Sequence, residues 1–150
     1  MKSRDAVPST AQTAPLVLFV CTDNAARSQI ALGYLRAGGR GDIIGWSAGQ
    51  FPATALDPGA VAVMNADGID ISSEFPKPWT KQVLQAADIV VTMGCADTCP
   101  IFPGKRYLDW NPDDPAGQDL ATVLRIRDEI KVKVEQLIKE LTAVNRAEHT

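Results

Sequence analysis

Histidine is nearly absent from this 150-residue sequence, in which His149 is the only one. A nucleophilic cysteine is commonly activated by a histidine base, so the shortage argues against a Cys-His hydrolase. Tetrahedral zinc sites require four ligands, and the C-x3-C spacing of Cys95 and Cys99, with His149 at the end of the chain, makes zinc binding a weak hypothesis. Proton donation during any catalysis is therefore expected to come from a carboxylate.

Long hydrophobic runs and an excess of positive charge are missing as well. The run that begins at Leu16 has six apolar residues, too few to span a membrane. The net charge of −3 argues against nucleic acid or an anionic membrane surface as the main partner. With 45% hydrophobic residues, the composition instead fits one globular domain with a substantial core.

The first residues of the chain differ in composition from the rest. Residues 1–14 are polar and rich in small side chains, which predicts a disordered tail, and they lack the pattern of a signal peptide. Residues 15–150 are predicted to form a single domain. Three cysteines in such a chain suggest thiol chemistry in the reducing cytoplasm rather than structural disulfides. We expect a cytoplasmic monomer.

The most informative stretch is the apolar run that ends at Cys21. It predicts a buried parallel strand, and a helical pattern of apolar residues begins soon after Ser28. A short loop between a strand and a helix directs its backbone N–H groups toward the positive end of that helix. The pattern therefore predicts an anion-binding site with Cys21 at its base.

Each side chain of this loop has a chemical reason to be there. The amides, the helix N-terminus and Arg27 would all favour the thiolate of Cys21, and the planar guanidinium matches two oxygens of an oxyanion. Asn24 tolerates a left-handed backbone, and Ser28 is predicted to cap the helix and to donate its hydroxyl to the thiolate. A structural cysteine beside a surface arginine is the alternative. The predicted substrate-binding residues are Thr22, Asp23, Asn24, Ala25, Ala26, Arg27 and Ser28.

Strand and helix patterns alternate along the rest of the chain. Further strands are predicted at residues 43–48, 88–93 and 105–110, with the last at an edge, and helices near 58–66, 80–86 and 120–144. Asp57 and Pro58 give the helix near 58–66 a typical start. This alternation predicts an α/β fold with a four-stranded parallel sheet, helices on both faces, and the active loop at the carboxyl ends of the strands.

Two further groups of residues follow strands and should reach the same edge of the sheet. Cys95 and Cys99 lie one helical turn apart, so a small rearrangement would allow a disulfide, although a zinc site or two inert cysteines are alternatives. Asp114, held by Pro115, is the candidate general acid. Its neighbour Asp113, or a simple solvated turn, remains an alternative at that position.

Three motifs in this order resemble the thioredoxin-coupled arsenate reductases, which share the fold of low-molecular-weight protein tyrosine phosphatases. They are VCTDNAARSQ at residues 20–29, VTMGCADTCP at 91–100 and WNPDDPAG at 110–117. The resemblance implies reduction of arsenate to arsenite, with phosphate or sulfate as substrate mimics. It also implies electrons from thioredoxin, no tightly bound cofactor and no metal.

The resemblance also implies a role for each catalytic residue. Cys21 would attack arsenic while Arg27 holds the oxyanion and Asp114 protonates the departing oxygen. Cys95 would then attack Cys21 to release arsenite, and Cys99 would attack Cys95 to leave a disulfide that thioredoxin reduces.

Other functions remain open from the sequence alone. A tyrosine phosphatase would use the same loop, but these enzymes usually have an aromatic residue after the Asp-Pro pair, where this chain has Ala116 and Gly117. Mycothiol or a glutaredoxin could replace thioredoxin as the reductant. A non-catalytic thiol sensor is a third possibility, which the combination of Cys21, Arg27 and Asp114 disfavours.

Overall fold

Four parallel strands form the centre of the protein, which is seen here in a computed structural model that describes residues 14–95 and 97–149. The strands are β1 (Leu16–Cys21), β2 (Ile44–Gly49), β3 (Ile89–Met93) and β4 (Arg106–Asp109), in the spatial order β2-β1-β3-β4. Cys21, the last residue of β1, lies opposite Gly49 of β2 and Met93 of β3. The carboxyl ends of three strands therefore meet around this cysteine.

The burial of each strand follows from its place in the sheet. All six residues of β1 and all five of β3 are buried, because both strands lie inside the sheet and are covered on both faces. β4 is only partly buried, with its first and last residues exposed, as expected for an edge strand. The apolar run from Leu16 was correctly predicted to be a buried parallel strand.

The helices cover the two faces of the sheet unequally. They are α1 (Arg27–Gly39), α2 (Pro58–Ala66), α3 (Lys81–Ala86) and α4 (Leu120–His149). α1, α2 and α4 pack on the face that carries Phe19 and Cys21, with Ile130 of α4 fully buried there. α3 covers the opposite face, where Leu18 and Val20 contact Val83 and Leu84. The predicted fold class is confirmed.

Local signals place most helix boundaries within one residue of their predicted positions. Asp57 caps α2 by accepting a hydrogen bond from Ala60 N, with Pro58 in the first turn. Thr80 caps α3 in the same way through Val83 N. Residues 1–13 of the predicted tail lie outside the described residues. Within the described ranges, no helix has the length and apolar character needed to cross a membrane.

We expect the core beneath α4 to contribute strongly to stability. Replacing the fully buried Ile130 by alanine removes packed methylene groups, and should lower the free energy of unfolding by about 2–5 kcal/mol. Val132 lies on the same helix but is 51% exposed, so Val132→Ala should change it by less than about 0.5 kcal/mol. Urea unfolding of both variants measures the difference. Equal losses would contradict this assignment of the core face.

Candidate active site

The loop that follows β1, residues 22–27, is held by its backbone carbonyls, and we call it the anion loop. The carbonyl oxygens of Thr22, Asp23 and Ala25 accept hydrogen bonds from backbone N–H groups of residues 51, 53 and 57, at 2.8, 3.0 and 2.9 Å. In a peptide unit the N–H points away from the C=O. The N–H groups of the same peptide units, on residues 23, 24 and 26, therefore point away from residues 51–57. The N–H of Asn24 donates to Cys21, and those of residues 23 and 26 are directed as an anion site requires.

The sulfur of Cys21 is buried next to a backbone amide and a hydroxyl, with the Asp23 carboxylate oxygen 3.9 Å away. The backbone N–H of Asn24 donates to it at 3.2 Å, and Ser28 Oγ lies 2.9 Å away. The Asn24 side chain donates from Nδ2 to the same Ser28 oxygen at 2.7 Å. Because that oxygen already accepts from Asn24, the hydroxyl proton of Ser28 is free to point at Cys21. The geometry suits the hydrogen bond to a thiolate that the sequence predicts for Ser28, and that role stays a prediction.

The orientation of Asn24 is fixed by contacts that the sequence did not reveal. Its Oδ1 accepts the backbone N–H of Lys77 at 2.9 Å and the side-chain amide of Gln29 at 3.1 Å. A backbone N–H can only donate, so Nδ2 of Asn24 must face Ser28. The backbone of Asn24 is left-handed, with φ of 54°, which confirms its predicted conformation.

The prediction that Ser28 caps α1 is wrong. The N-cap is Ala26, with φ of −136° and no side-chain hydrogen bond, and Ser28 lies within the first turn. Its hydroxyl is engaged by Asn24 and Cys21 instead.

The carboxylate of Asp23 is partly buried and accepts the N–H of Ala25 at 3.2 Å, which stabilises the loop. Thr22 is exposed at the rim.

Arg27 is half-buried, and two neighbours define its position. Its Nη1 donates to the carbonyl of Pro112 at 3.5 Å, which ties the anion loop to the segment that carries Asp114. A Cβ atom added to Gly94 would lie 2.7 Å from the same Nη1. Gly94 also has φ of 89°, a conformation that favours glycine. Gly94 thus keeps open the space that the guanidinium occupies.

Gly49 lies close to the backbone of the anion loop, where a larger residue would not fit. A Cβ there would lie 2.9 Å from backbone atoms of Asp23 and Asn24. In the sequence, Gly49 directly follows the strand predicted at residues 43–48. Its position beside a predicted anion loop was the available signal for close backbone approach.

Cys95 and Cys99 follow β3 in a single turn, in which Cys99 N donates to Cys95 O at 3.1 Å. Both are buried, and Cys95 Sγ lies 3.5 Å from the carbonyl oxygen of Val20. Burial, with the nearby Cys99 and Cys21 thiols, raises the pKa of Cys95 to about 11, and burial also raises the pKa of Cys99. Both thiols are therefore protonated at neutral pH.

All three cysteines are free thiols at the same edge of the sheet, but they pack in different layers. Cys21 belongs to the core cluster beneath α1 and α4, whereas Cys95 and Cys99 belong to the cluster beneath α3. A hydrogen bond of 3.0 Å from Thr98 Oγ1 to Gln50 Oε1 joins the cysteine turn to the segment that borders the anion loop. The described residues include no cluster of three or more histidine, cysteine or acidic side chains able to hold a metal.

The two candidate acids differ in their partners. Asp113 forms an ion pair with Arg125 of α4 at 3.3 Å. Asp114 is exposed, and its carboxylate accepts the N–H of Ala116 at 3.0 Å. The ion pair draws Asp113 toward α4, while Asp114 is held only by its own turn.

A cysteine at the base of an amide-lined loop, with an arginine at its rim, defines a phosphatase-like oxyanion site. Comparison with known proteins agrees: the family described as low molecular weight phosphotyrosine protein phosphatase matches residues 16–147. The chain is 37% identical over 127 residues to arsenate reductase 2 of Staphylococcus haemolyticus, covering 79% of this chain and 92% of that protein. It therefore belongs to the low molecular weight phosphotyrosine protein phosphatase family, in its group of arsenate reductases.

Two further relatives differ in their reductants. The glutaredoxin arsenate reductase of Synechocystis is 33% identical over 129 residues, covering 84% of this chain and 98% of that protein. The thioredoxin-dependent arsenate reductase of Corynebacterium glutamicum is similar in structure, with a TM-score of 0.80 and 40% identity. That match covers 89% of this chain, which spans 65% of the length of the corynebacterial protein.

Gly94→Ala should disturb Arg27 and weaken oxyanion binding. The new methyl group would meet the guanidinium, so we expect the affinity for phosphate to fall about tenfold or more, the effect of losing one charge-assisted hydrogen bond. Isothermal titration calorimetry with inorganic phosphate measures this change. Gly104→Ala is the matched control, because Gly104 has φ of 83° but nothing within 4 Å of an added Cβ. Equal weakening in both variants would contradict the role assigned to Gly94.

The raised pKa of Cys95 predicts the pH dependence of its reactivity. In a Cys21→Ser/Cys99→Ser variant, alkylation by iodoacetamide should rise about tenfold per pH unit and continue to rise beyond about pH 9, because only the thiolate reacts. The same variant unfolded in urea should level off near pH 9.0, the ordinary thiol pKa. A folded protein that levels off at the same pH as the unfolded one would refute the effect of burial.

Proposed function

We propose that this protein reduces arsenate to arsenite and is regenerated by thioredoxin. The observation that carries the proposal is a nucleophilic cysteine in an anion loop, together with a second pair of thiols at the same edge of the sheet. A phosphatase requires only the first of these features. The names of the relatives in Staphylococcus and Corynebacterium support the choice of substrate, and the second supports the choice of reductant.

The first step is attack on arsenic within the anion loop. Arsenate is a tetrahedral oxyanion, and the loop N–H groups of residues 23 and 26 with the Arg27 guanidinium provide donors for its oxygens. The thiolate of Cys21, stabilised by Asn24 N–H and the Ser28 hydroxyl, forms a bond to arsenic. One oxygen departs as water once it is protonated. We assign that proton to Asp114, on the segment that Pro112 connects to Arg27.

The second and third steps move the oxidation outward through thiol–disulfide exchange. The thiolate of Cys95 attacks the sulfur of Cys21, and the sulfur–arsenic bond breaks with its electron pair remaining on arsenic. This two-electron step yields arsenite and a Cys21–Cys95 disulfide. Cys99 then attacks Cys95, releases Cys21 as a thiolate and leaves a Cys95–Cys99 disulfide. Thioredoxin reduces that disulfide with two electrons, as expected in a reducing compartment such as the cytoplasm.

Arsenate-dependent oxidation of NADPH in the presence of thioredoxin and thioredoxin reductase tests the proposal. Sustained turnover, abolished by Cys21→Ser, would support it. Turnover only with glutathione and glutaredoxin, as in the named activity of the Synechocystis relative, would keep the reaction and replace the reductant. Reduction in neither system would overturn the function.

Phosphatase activity is the second candidate, because the family match and the anion loop also suit a phosphate ester. Attack of Cys21 on phosphorus would give a cysteinyl-phosphate, which water hydrolyses without Cys95 or Cys99. Hydrolysis of p-nitrophenyl phosphate by a Cys95→Ser/Cys99→Ser variant measures this activity. A catalytic efficiency above that for arsenate reduction in the unmodified protein would favour the phosphatase.

Asp114→Asn should slow formation of the arsenic adduct by about a hundredfold, the usual effect of losing a general acid. Rapid-quench measurement of a single turnover with arsenate gives this rate. Asp113→Asn is the matched control, since it removes the neighbouring carboxylate, whose partner is Arg125. If only Asp113→Asn is slow, the acid is Asp113.

Cys99→Ser should release about one arsenite per protein molecule and then stop, because the oxidised Cys21–Cys95 pair has no internal thiol to resolve it. Arsenite is counted by chromatography with elemental detection, and the disulfide is mapped by mass spectrometry. Continued turnover of this variant with thioredoxin would contradict the proposed order of the thiols.

A further inference from the structure

The buried polar side chains of the described residues are concentrated behind the anion loop. Five of the six connect to one another and to Cys21, and Lys77 is the charged one among them. The six residues are Asn24, Ser28, Gln29, Ser47, Lys77 and Thr92. Burying a charge is costly unless its surroundings stabilise it, so the position of Lys77 calls for a physical explanation.

The surroundings of the Lys77 ammonium suit a positive charge. Its Nζ donates to Ser47 Oγ at 3.0 Å and lies 3.5 Å from the carbonyl oxygen of Phe75. The ring centroids of Trp46 and Phe75 lie 4.9 and 5.3 Å from the same nitrogen. Oxygen acceptors and the faces of aromatic rings both stabilise a cation that is removed from water.

The register of the sheet places Ser47, the serine that binds this cation, near Cys21. Ser47 pairs with Phe19, and Cys21 pairs with Gly49, so Ser47 lies two residues before the partner of Cys21. Side chains two residues apart on a strand share a face, which puts Ser47 on the face of Cys21, displaced by about 7 Å along the strand. Ser47 also lies one strand spacing, about 4.8 Å, to the side of Cys21, so the two positions are more than 7 Å apart. A buried charge acts over such a distance because the protein interior screens it weakly.

The backbone of Lys77 is held on both sides. Its N–H donates to Asn24 Oδ1 at 2.9 Å, and its carbonyl accepts from Gly49 N at 2.8 Å. These bonds join Lys77 to the asparagine that orients Ser28 and to the strand end that faces Cys21. These two hydrogen bonds fix the backbone of Lys77 relative to Cys21, and Ser47 holds its ammonium.

We propose that Lys77 is a positioning residue whose buried ammonium, held by Ser47, favours the thiolate of Cys21 and the oxyanion bound above it. The other charged or titratable groups around Cys21 are Arg27, Asp23, whose Oδ1 lies 3.9 Å from the sulfur, and the Cys95 thiol. Lys77 differs from the half-buried Arg27 and Asp23 because water and salt screen it less in the interior, and from the buried Cys95 thiol because it carries a positive charge. The inference rests on the proposed function only for the identity of the oxyanion.

Alkylation of Cys21 tests this role without arsenate. In a Cys95→Ser/Cys99→Ser background, Lys77→Met keeps the length of the side chain and its backbone bonds but removes the charge. At about pH 6 we expect iodoacetamide to react about tenfold more slowly with Lys77→Met than with the parent, because less thiolate is present. At about pH 10 the two rates should agree within about twofold, because the alkaline solution then ionises the Cys21 thiol in both proteins and the lysine charge no longer decides the amount of thiolate.

Two further variants separate charge from hydrogen bonding and from surface effects. Lys77→Gln retains a side-chain N–H donor for Ser47 but carries no charge, and should resemble Lys77→Met. Lys81→Met removes a positive charge from an exposed position on α3, and should behave as the parent does.

Several outcomes would overturn the proposal. Equal slowing at both pH values would indicate a change in access to Cys21, and full activity of Lys77→Gln would assign the effect to a hydrogen bond. If both Lys77 variants lose the circular dichroism of the fold, Lys77 serves folding instead. Because no step of this test uses arsenate or thioredoxin, failure of the proposed reductase function would leave its result unchanged.

Discussion

The contact on which the site depends is the hydrogen bond from Asn24 Nδ2 to Ser28 Oγ. It occupies one of the two acceptor sites of the Ser28 oxygen and leaves the hydroxyl proton available to Cys21, an arrangement that suits a thiolate. The orientation of Asn24 depends in turn on a backbone N–H from Lys77, distant in sequence. The surroundings of the sulfur at the end of β1 therefore depend on the segment that precedes α3.

The two groups of thiols at one sheet edge differ in their hydrogen-bond partners. Cys21 receives donors from a backbone amide and a hydroxyl, whereas burial raises the pKa of Cys95 and Cys99. In the proposed reaction the first cysteine must react with an anion at neutral pH, and the other two must stay unreactive until an adduct forms. Protonated thiols in the layer beneath α3 meet that requirement, because they are poor nucleophiles.

The parts of the structure that the sequence predicted are those encoded locally. The apolar run of β1, the Asp57–Pro58 start of α2 and the left-handed Asn24 each depend on a few neighbouring residues. The Ser28 cap was predicted wrongly because two partners, Asn24 and Cys21, compete for the hydroxyl. Local capping rules do not include such competition.

The missed residues depend on contacts between distant segments. Lys77 meets Asn24 across 53 positions of sequence, and Arg27 meets Pro112 across 85. Nothing near Gly94 in the sequence indicates that a guanidinium from α1 lies against it. A lysine between two prolines gives no sign that its ammonium is buried, because lysine is among the residues most often exposed.

The Thr98–Gln50 hydrogen bond connects the turn that carries Cys95 and Cys99 to the segment next to the anion loop. Gln50 precedes the residues whose N–H groups hold the anion-loop carbonyls, and Thr98 lies between the two outer cysteines. Forming a disulfide within that turn would displace Thr98 and, through Gln50, the segment whose N–H groups hold the anion loop. The redox state of Cys95 and Cys99 would then change the shape of the anion loop. The oxidised protein would bind oxyanions differently from the reduced protein.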